Sequence, residues 1–273
     1  MIPHNKNSLL VEPEELLPEL KNKEQLIIAV CSDQSFDQGH IPGAVLVRPA
    51  DLISGVKPAV GKLPSIDKLN QIFSDIGLTE SKRVVAYDNE GGGWAGRLLW
   101  TLDVLNHSNH ALLNGGLISW RHEGFPLSNE IESIKKSSYK GEINKAFIAD
   151  MKDVLESIGD DHTIVWDART FEEYRGSKIT AQKNGHVPGA VNLDWLDVMD
   201  LTNNLKLKDL NTLKIQLEKL GITRDKNIIT HCLSHHRSGL TYIVGRLLNL
   251  KITAYDGSWA EWGNHPDTPV DTH

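Results

Sequence analysis

Apolar and polar residues alternate along the chain in a pattern that occurs twice. In each half, apolar residues spaced three or four positions apart are followed by a glycine and then by a short, mostly apolar run. The first such unit spans residues 65–87 and the second spans residues 209–231. This spacing predicts a helix, the glycine marks its C-terminal end, and the short apolar run predicts a buried strand.

A second amphipathic helix follows each of these strands. It is predicted at residues 94–105 in the first half and at 240–248 in the second, and a short strand follows at residues 111–113 and 252–255. Strands that alternate with helices indicate a mostly parallel sheet that is covered by helices on both faces. We therefore predict an α/β protein made of two similar domains.

A short motif supports the duplication and locates the two domains. Gly-His-Ile-Pro-Gly-Ala-Val at residues 39–45 recurs as Gly-His-Val-Pro-Gly-Ala-Val at residues 185–191. Between the two halves lies a polar, charged stretch without strong periodicity, which is typical of a linker. We predict a first domain at residues 1–127, a linker at 128–145 and a second domain at 146–273.

Composition narrows the classes of function. The 273 residues carry a formal net charge of −7, which argues against nucleic acid or an anionic membrane as a partner. No apolar run approaches the roughly 18 residues that span a bilayer, and the N-terminus lacks the features of a secretory signal. Only two cysteines are present, so we expect a reducing compartment, the cytoplasm, and no disulfide scaffold.

The loop between the strand at residues 228–230 and the following helix is the strongest candidate for chemistry. It contains Cys232, followed by Leu233–Arg237. The first N–H groups of a helix lack partners within the helix and its dipole is positive there, so the loop should stabilise an anion. A thiolate at this place should have a pKa below its ordinary value of about 8.5. We predict that Cys232 is a nucleophile that meets an anionic substrate, with Arg237 adding positive charge.

Two other interpretations of Cys232 come from the same residues. A cysteine after a buried strand is often an inert core residue, but the adjacent His235, His236 and Arg237 are poor core residues. With His231, these histidines are also potential zinc ligands. Structural zinc sites usually pair two well-spaced ligand couples, and the sequence contains no second couple. We therefore expect no metal ion.

The first half provides an internal comparison for this loop. When the halves are aligned, Asp88 falls opposite Cys232, and Gly91–Gly93 fall opposite the His-His-Arg group. A carboxylate cannot replace a thiolate in nucleophilic chemistry of this kind. The first domain is therefore expected to be non-catalytic.

Together these motifs resemble the tandem-domain rhodaneses, a family of thiosulfate and 3-mercaptopyruvate sulfurtransferases. The resemblance covers nearly the whole chain. Besides the repeated motif, it rests on the strand at 164–169 leading into Tyr174–Gly176, on the Cys232 loop and on the segment at 256–262. It implies two rhodanese-like domains with an active site in the cleft between them. Members of the family carry an aspartate at the cysteine position of the first domain, as Asp88 does here.

The resemblance also implies a reaction. Cys232 is expected to take the outer sulfur of a small anionic donor such as thiosulfate and to hold it as a covalent persulfide, without a cofactor. The acceptor is expected to be thiophilic: cyanide, a thiol or a protein. The residues expected to bind substrate are Arg169, Arg237, His235, His236, Leu233 and Ser234. Those that are possible walls of the cleft are Trp195, Trp94 and Asp88.

Several of these residues have a simpler interpretation. Arg169 follows Asp167 closely and can form a structural ion pair with it. Arg237 can tie the loop to a nearby carbonyl group, and one of the two histidines can point to solvent. Trp94 and Trp195 can belong to the apolar core.

The cysteine loop leaves the donor and the reaction class open to alternatives. Its Leu-Ser-His-His-Arg sequence resembles a bacterial subgroup, and Glu173 occupies the place of an arginine used by 3-mercaptopyruvate enzymes. 3-Mercaptopyruvate is therefore the less expected donor. A cysteine phosphatase of related fold is the alternative enzyme, although its loop is longer than the one between Cys232 and Arg237. A persulfide carrier without efficient turnover is the alternative outside enzymes.

Overall fold

The first half of the chain forms a parallel five-stranded sheet. The computed structural model describes residues 8–272. Residues 1–7, which are part of the N-terminus predicted to lack a secretory signal, and residue 273 lie outside the described residues. The strands are β1 (Leu10–Val11), β2 (Gln25–Val30), β3 (Val45–Val47), β4 (Arg83–Tyr87) and β5 (His110–Leu113). They lie in the order β1-β5-β4-β2-β3, and every neighbouring pair is parallel.

The second half repeats this sheet and adds a small hairpin. Its strands are β6 (Ile148–Ala149), β7 (Thr163–Asp167), β8 (Val191–Asn192), β9 (Met199–Asp200), β10 (Lys206–Leu207), β11 (Asn227–His231) and β12 (Lys251–Tyr255). The sheet order is β6-β12-β11-β7-β8, again all parallel, while β9 and β10 pair antiparallel. The prediction of an α/β fold with two mostly parallel sheets is confirmed.

Helices cover both sheets. They are α1 (Pro13–Leu16), α2 (Asp33–Asp37), α3 (Ile66–Asp75), α4 (Gly93–Val104), α5 (Gly116–His122), α6 (Met151–Glu156), α7 (Phe171–Tyr174), α8 (Leu210–Glu218), α9 (Arg237–Leu247) and α10 (Ser258–Trp262). No helix within residues 8–272 is long and apolar enough to cross a membrane.

The helices that follow β4 and β11 begin differently from the other long ones. Ser65 and Asp209 cap α3 and α8, since their side chains accept hydrogen bonds from first-turn N–H groups. By contrast, the residues that precede α4 and α9, Gly92 and His236, form no side-chain cap. The first turns of α4 and α9 therefore keep N–H groups available for an anion in the preceding loop.

The two halves pack against each other through α4 and α9. Gly96 of α4 and Gly239 of α9 lie in backbone contact, because a Cβ atom at Gly96 would come within 2.5 Å of the Gly239 carbonyl carbon. An apolar core runs through this interface and joins side chains below both sheets, such as Val84 and Ile228. The loops after β4 and β11 are consequently held side by side.

The stretch predicted as a linker, residues 128–145, is packed against the first half. Tyr139 is buried beside Phe73 of α3, with ring centroids 5.7 Å apart. The backbone N–H of Ser137 also donates to the carbonyl of Ser74 at 2.9 Å. This stretch therefore adds to the core of the first half as it crosses to the second.

Candidate active site

Cys232 lies directly after β11, where the strand turns towards α9. The residue is 1% exposed. Its N–H donates to the Ser258 hydroxyl oxygen at 3.4 Å, and its carbonyl accepts from the Trp259 N–H at 3.0 Å. Both partners come from the first turn of α10, so this turn fixes the backbone of the cysteine at the C-terminal edge of the sheet.

The surroundings of the Cys232 sulfur favour a thiolate. Burial alone would raise the pKa of the thiol, but the Arg237 guanidinium, hydrogen bonds from the Ser238 side chain and backbone, and the nearby His236 bring the pKa below its ordinary value. The other cysteine differs, because burial and two neighbouring carboxylates raise the pKa of Cys31 to about 11. The lowered pKa makes Cys232 the candidate reactive thiol, whereas the raised pKa disfavours the thiolate of Cys31.

His235 is a buried part of the loop. Its backbone has φ 55°, and its Nδ1 lies 2.8 Å from the Ser238 hydroxyl. The ring meets Trp100 of α4 edge-on, with centroids 4.4 Å apart. Burial, followed by the positive charge of Arg97, holds the pKa of His235 well below its ordinary value, so the ring is neutral. The contacts of this ring with Ser238 and Trp100 favour a role in shaping the loop over the expected contact with a substrate.

His236 faces the first half of the chain. Its ring stacks on Trp94 with centroids 4.4 Å apart and lies 5.7 Å from the ring of Trp195. Its Nε2 contacts the carboxylate of Glu90, which belongs to the loop after β4. Both tryptophans are partly buried at the edge of the shared core, so they border the cysteine loop as well as the core.

Arg237 is held by a carboxylate, not by the carbonyl group considered above. Its two terminal nitrogens donate to the two oxygens of Glu173 at 2.6 and 2.9 Å. Glu173 is buried, which by itself would raise its pKa, but Arg237 lowers the pKa below its ordinary value. Glu173 therefore fixes the Arg237 guanidinium, which is the charge that most lowers the pKa of Cys232.

Arg169 adopts the structural ion pair rather than an open position. It is fully buried, and its Nε lies 2.9 and 3.0 Å from the two carboxylate oxygens of Asp167. The guanidinium also donates to the Gly185 carbonyl at 2.8 Å and lies over the Trp259 ring, 4.1 Å from its centroid. The expected direct contact between Arg169 and the donor does not fit this packing. Arg169 instead links β7 to the α10 turn that holds Cys232.

The residues just after Cys232 are fixed through their backbones. The Leu233 carbonyl accepts from the Ala260 N–H at 2.9 Å. The Ser234 backbone lies against Gly61 of the first half, where a Cβ atom would come within 2.6 Å of the Ser234 carbonyl carbon. Their carbonyl groups are therefore turned to α10 and to the first half, respectively.

Asp88 does not wall the cleft, contrary to one expectation. It is buried, and its carboxylate accepts from the N–H groups of Glu90 at 3.0 Å, Gly92 at 2.8 Å and Ala95 at 3.0 Å. The side chain turns into its own loop, where it serves loop donors at Glu90 and Gly92 and the first-turn donor Ala95 of α4, which Gly92 leaves without a side-chain cap. The first half thus contains a carboxyl group in a ring of N–H groups at the place that aligns with Cys232, and burial followed by the charge of Glu90 raises the pKa of this group.

The histidines near Cys232 do not converge on a common point. His231 Nδ1 lies 3.1 Å from the Cys232 carbonyl oxygen, and its Nε2 lies 3.7 Å from the Asp167 carboxylate. Within residues 8–272 no three His, Cys, Asp or Glu side chains are placed to hold a metal ion. The zinc interpretation has no geometry in its favour there.

Comparison with known proteins identifies the family. A sequence profile of the rhodanese-like domain matches residues 12–123 and again residues 150–265. The chain belongs to the rhodanese family. Each matched segment contains four of the five strands of one parallel sheet, all but β1 in the first and all but β6 in the second, and the cysteine loop lies in the second segment.

Similar proteins cover the whole rhodanese chain. A thiosulfate sulfurtransferase of Azotobacter vinelandii is 41% identical over 264 residues, which cover 96% of this chain and 97% of the relative. A thiosulfate sulfurtransferase of Pseudomonas aeruginosa is also 41% identical, with the same two coverages. The sulfur carrier protein TtuD of Thermus thermophilus is 28% identical over 96% of each chain. A 3-mercaptopyruvate sulfurtransferase of Escherichia coli is 26% identical over 87% of this chain and 85% of the relative.

Solved structures show the same fold at low sequence identity. A complex of EanB with ergothioneine matches with a TM-score of 0.86 and 21% identity, over 97% of this chain and 70% of that chain. The anaerobic ergothioneine biosynthesis enzyme of Chlorobium limicola matches with a TM-score of 0.81 and 20% identity, over 100% of this chain and 66% of that chain. These matches show the fold of the chain.

Three charged residues of the rhodanese site were not predicted. Glu90 and Arg97 come from the first half, and Glu173 was considered only as a missing arginine. A signal for Arg97 exists, since it is the only cationic residue in the otherwise largely apolar sequence of α4. Pairings between distant loops leave no periodic trace in the sequence, so Glu90 and Glu173 could not be assigned partners from spacing alone.

Proposed function

We propose that this rhodanese transfers the outer sulfur of thiosulfate, or of a similar anionic donor, to a thiophilic acceptor through a Cys232 persulfide. One observation carries the proposal: the Cys232 sulfur lies at the uncapped N-terminus of α9 with a lowered pKa, next to the Arg237 cation. A thiolate so placed is a strong nucleophile for sulfur. The full-length similarity to two thiosulfate sulfurtransferases supports the same reaction.

The reaction has two balanced steps. The Cys232 thiolate attacks the outer sulfur of thiosulfate, a new sulfur–sulfur bond forms, and the old one breaks with its electron pair leaving on sulfite. The acceptor, cyanide or a thiolate, then attacks the terminal sulfur and releases the Cys232 thiolate. N–H groups at the start of α9 and the Arg237 charge stabilise the anion at each stage. The cysteine itself carries the sulfur, so the reaction requires no cofactor, and a reducing cytoplasm keeps the thiol available.

The charge of Glu173 favours thiosulfate over 3-mercaptopyruvate. Glu173 already occupies both terminal nitrogens of Arg237. A donor with its own carboxylate is best recognised by a two-nitrogen contact with arginine, and on Arg237 that contact is already made by Glu173. The relatives point the same way, since the thiosulfate sulfurtransferase of Azotobacter vinelandii is 41% identical and the 3-mercaptopyruvate sulfurtransferase of Escherichia coli 26%. We therefore expect a higher kcat/KM for thiosulfate.

Mass spectrometry after incubation with thiosulfate tests the proposal. Wild type should gain one sulfur atom, and cyanide should remove it with formation of thiocyanate. Cys232→Ser should gain none, whereas Cys31→Ser should behave like wild type because Cys31 is an inert thiol. Equal sulfur uptake by the Cys232→Ser variant contradicts the assignment. Hydrolysis of an aryl phosphate, assayed in parallel, addresses the phosphatase alternative, and we expect none.

A sulfur carrier is the second candidate function. It is favoured by the similarity to TtuD, which is described as a sulfur carrier protein. The two functions differ in turnover with small acceptors. If the persulfide forms but cyanide and simple thiols discharge it only slowly, a protein acceptor is indicated and the carrier function is supported.

A further inference from the structure

Arg97 is a cation buried at the interface between the two halves. It lies on α4 and is 0% exposed. Its Nη2 donates to the Leu52 carbonyl at 2.8 Å, and its guanidinium lies over the Trp100 ring, 4.6 Å from the centroid. Its Nε and Nη1 are buried without a hydrogen-bond partner in the part of the chain that the structure describes, and no ion pair there includes Arg97. A buried cation with two free donors is costly, so an anion nearby is expected.

The packing of α4 places Arg97 against the cysteine loop. A Cβ atom at Gly239, two residues into α9, would come within 3.0 Å of the Arg97 Cα atom. Trp100, over whose ring the guanidinium lies, also meets the ring of His235 edge-on. Arg97 therefore approaches the loop from the first half, whereas Arg237 approaches it from the second.

Two anions face Arg97. Burial lowers the pKa of Arg97 to about 10, while the negative charges of Asp256 and then Cys232 oppose this shift, so the guanidinium stays charged at neutral pH. His235 is the other titratable group that faces Arg97, and it is neutral. Asp256 directly follows β12, and its carboxylate also accepts from the Leu63 N–H at 2.9 Å. The Cys232 sulfur faces Arg237 from its own half, so Arg97 is the cation that the first half adds to it.

We propose that Arg97 is a positioning residue for Cys232: a fixed cation, supplied by the half that lacks the cysteine, that stabilises the sulfur anion as thiolate and as persulfide. The inference rests on Cys232 being the sulfur-bearing nucleophile of the proposed function. The proposal gives the first domain a direct part in the chemistry. The charge of Arg97 adds to those of Arg237 and His236, which face the sulfur from its own loop and helix.

The competing explanation is purely structural. Arg97 could serve only as a counter-charge for Asp256. Burial raises the pKa of Asp256, and the positive charge of Arg97 lowers it part of the way back. In that case its removal would destabilise the interface without changing the acidity of Cys232. The acidity of the thiol therefore separates the two explanations, whereas loss of stability or of turnover does not.

The experiment measures the rate of Cys232 alkylation by iodoacetamide against pH, in a Cys31→Ala background. Arg97→Met should raise the Cys232 pKa by about one unit, which slows alkylation roughly tenfold at a pH below that pKa. Arg97→Lys should recover much of the loss because it keeps the charge. The matched control is Arg246→Met, which removes another interface arginine that contacts Asp103 of α4 across the same boundary. This control should leave the thiol titration unchanged.

A second comparison guards against a variant that does not fold. Replacing Arg97 and Asp256 together, as Arg97→Met with Asp256→Asn, leaves neither charge unpaired in the interface. This double variant should show a higher thiol pKa than Asp256→Asn alone. Equal pKa values in that pair, or equal shifts in Arg97→Met and Arg246→Met, overturn the proposal. The sulfur-uptake test on wild type is independent: its failure refutes the sulfurtransferase, while the thiol titration can still be interpreted.

Discussion

Adding one methyl group at Gly239 should weaken the contact between the two halves of the molecule. In the α4–α9 contact, a Cβ atom at Gly239 would lie 2.6 Å from the Gly93 carbonyl oxygen and closer still to the Arg97 amide nitrogen. Both are backbone atoms of a helix, so they can move only if the whole helix moves. Gly245→Ala is the matched control in α9, because its Cβ would meet the flexible end of the Ile252 side chain, at 2.5 Å.

The expected magnitudes follow from these contacts. Replacing glycine by alanine inside a helix favours folding by about 1 kcal/mol. Overpacking costs about 1–3 kcal/mol, and the upper part of that range applies where rigid backbones collide. Gly239→Ala should therefore destabilise the protein by about 1–2 kcal/mol, whereas Gly245→Ala should be close to neutral.

Urea unfolding followed by tryptophan fluorescence measures the difference. With a slope of about 3 kcal/mol per molar urea, the midpoint of Gly239→Ala should fall by roughly 0.5 M. The pH profile of Cys232 alkylation should also move upward, since Arg97 is displaced along with α4. If Gly239→Ala and Gly245→Ala unfold at the same urea concentration as wild type, the backbone contact does not hold the halves together as described.

Three further substitutions have defined outcomes. Arg237→Met should raise the Cys232 pKa by about 1–3 units, because it removes the largest favourable charge, and the pH dependence of iodoacetamide alkylation reports this. Asp88→Asn should cost about 1–3 kcal/mol in urea unfolding, since an amide group cannot accept from all three N–H donors, while Cys232 alkylation stays unchanged. Burial would raise the pKa of Asp167, but Arg169 brings the pKa below its ordinary value. The ionised Asp167 therefore contributes fully to the stability of the folded protein above pH of about 4, and this contribution disappears as the pH falls through the lower pKa of the folded state. Asp167→Asn should consequently unfold more easily at pH 7 than wild type, and the difference in urea midpoint should shrink in acid.

Local periodicity predicted the positions of the helices and strands well, and their exact ends and tertiary contacts less well. The helix predicted from residue 240 onward begins three residues earlier, at Arg237, because the first turn of α9 is polar and carries no apolar signal. Cys232 could be chosen from sequence because strand, cysteine and helix follow one another directly. The role of Glu173 could not, since its carboxylate meets Arg237 only after the loops after β7 and β11 are folded side by side.

The same limit applies to the contribution of the first half. Asp88 was expected at the cleft because alignment placed it opposite Cys232, but alignment does not tell which way a side chain turns. Unsatisfied donors at the start of α4 turn it inward. Arg97 and Glu90 reach the cysteine loop only through the docking of one half on the other, which depends on the shapes of two surfaces rather than on spacing along the chain.

The ring of N–H groups around Asp88 is a counterpart of the cysteine loop in which the acceptor is the protein's own carboxyl group. This group never leaves, so it displays how the loop-and-helix unit surrounds an acceptor when nothing exchanges. If the cysteine loop shares that geometry, it is already shaped for the charged sulfur before any donor arrives. Little reorganisation then accompanies each turnover, and the rate should depend on the chemistry of donor and acceptor more than on motion of the protein.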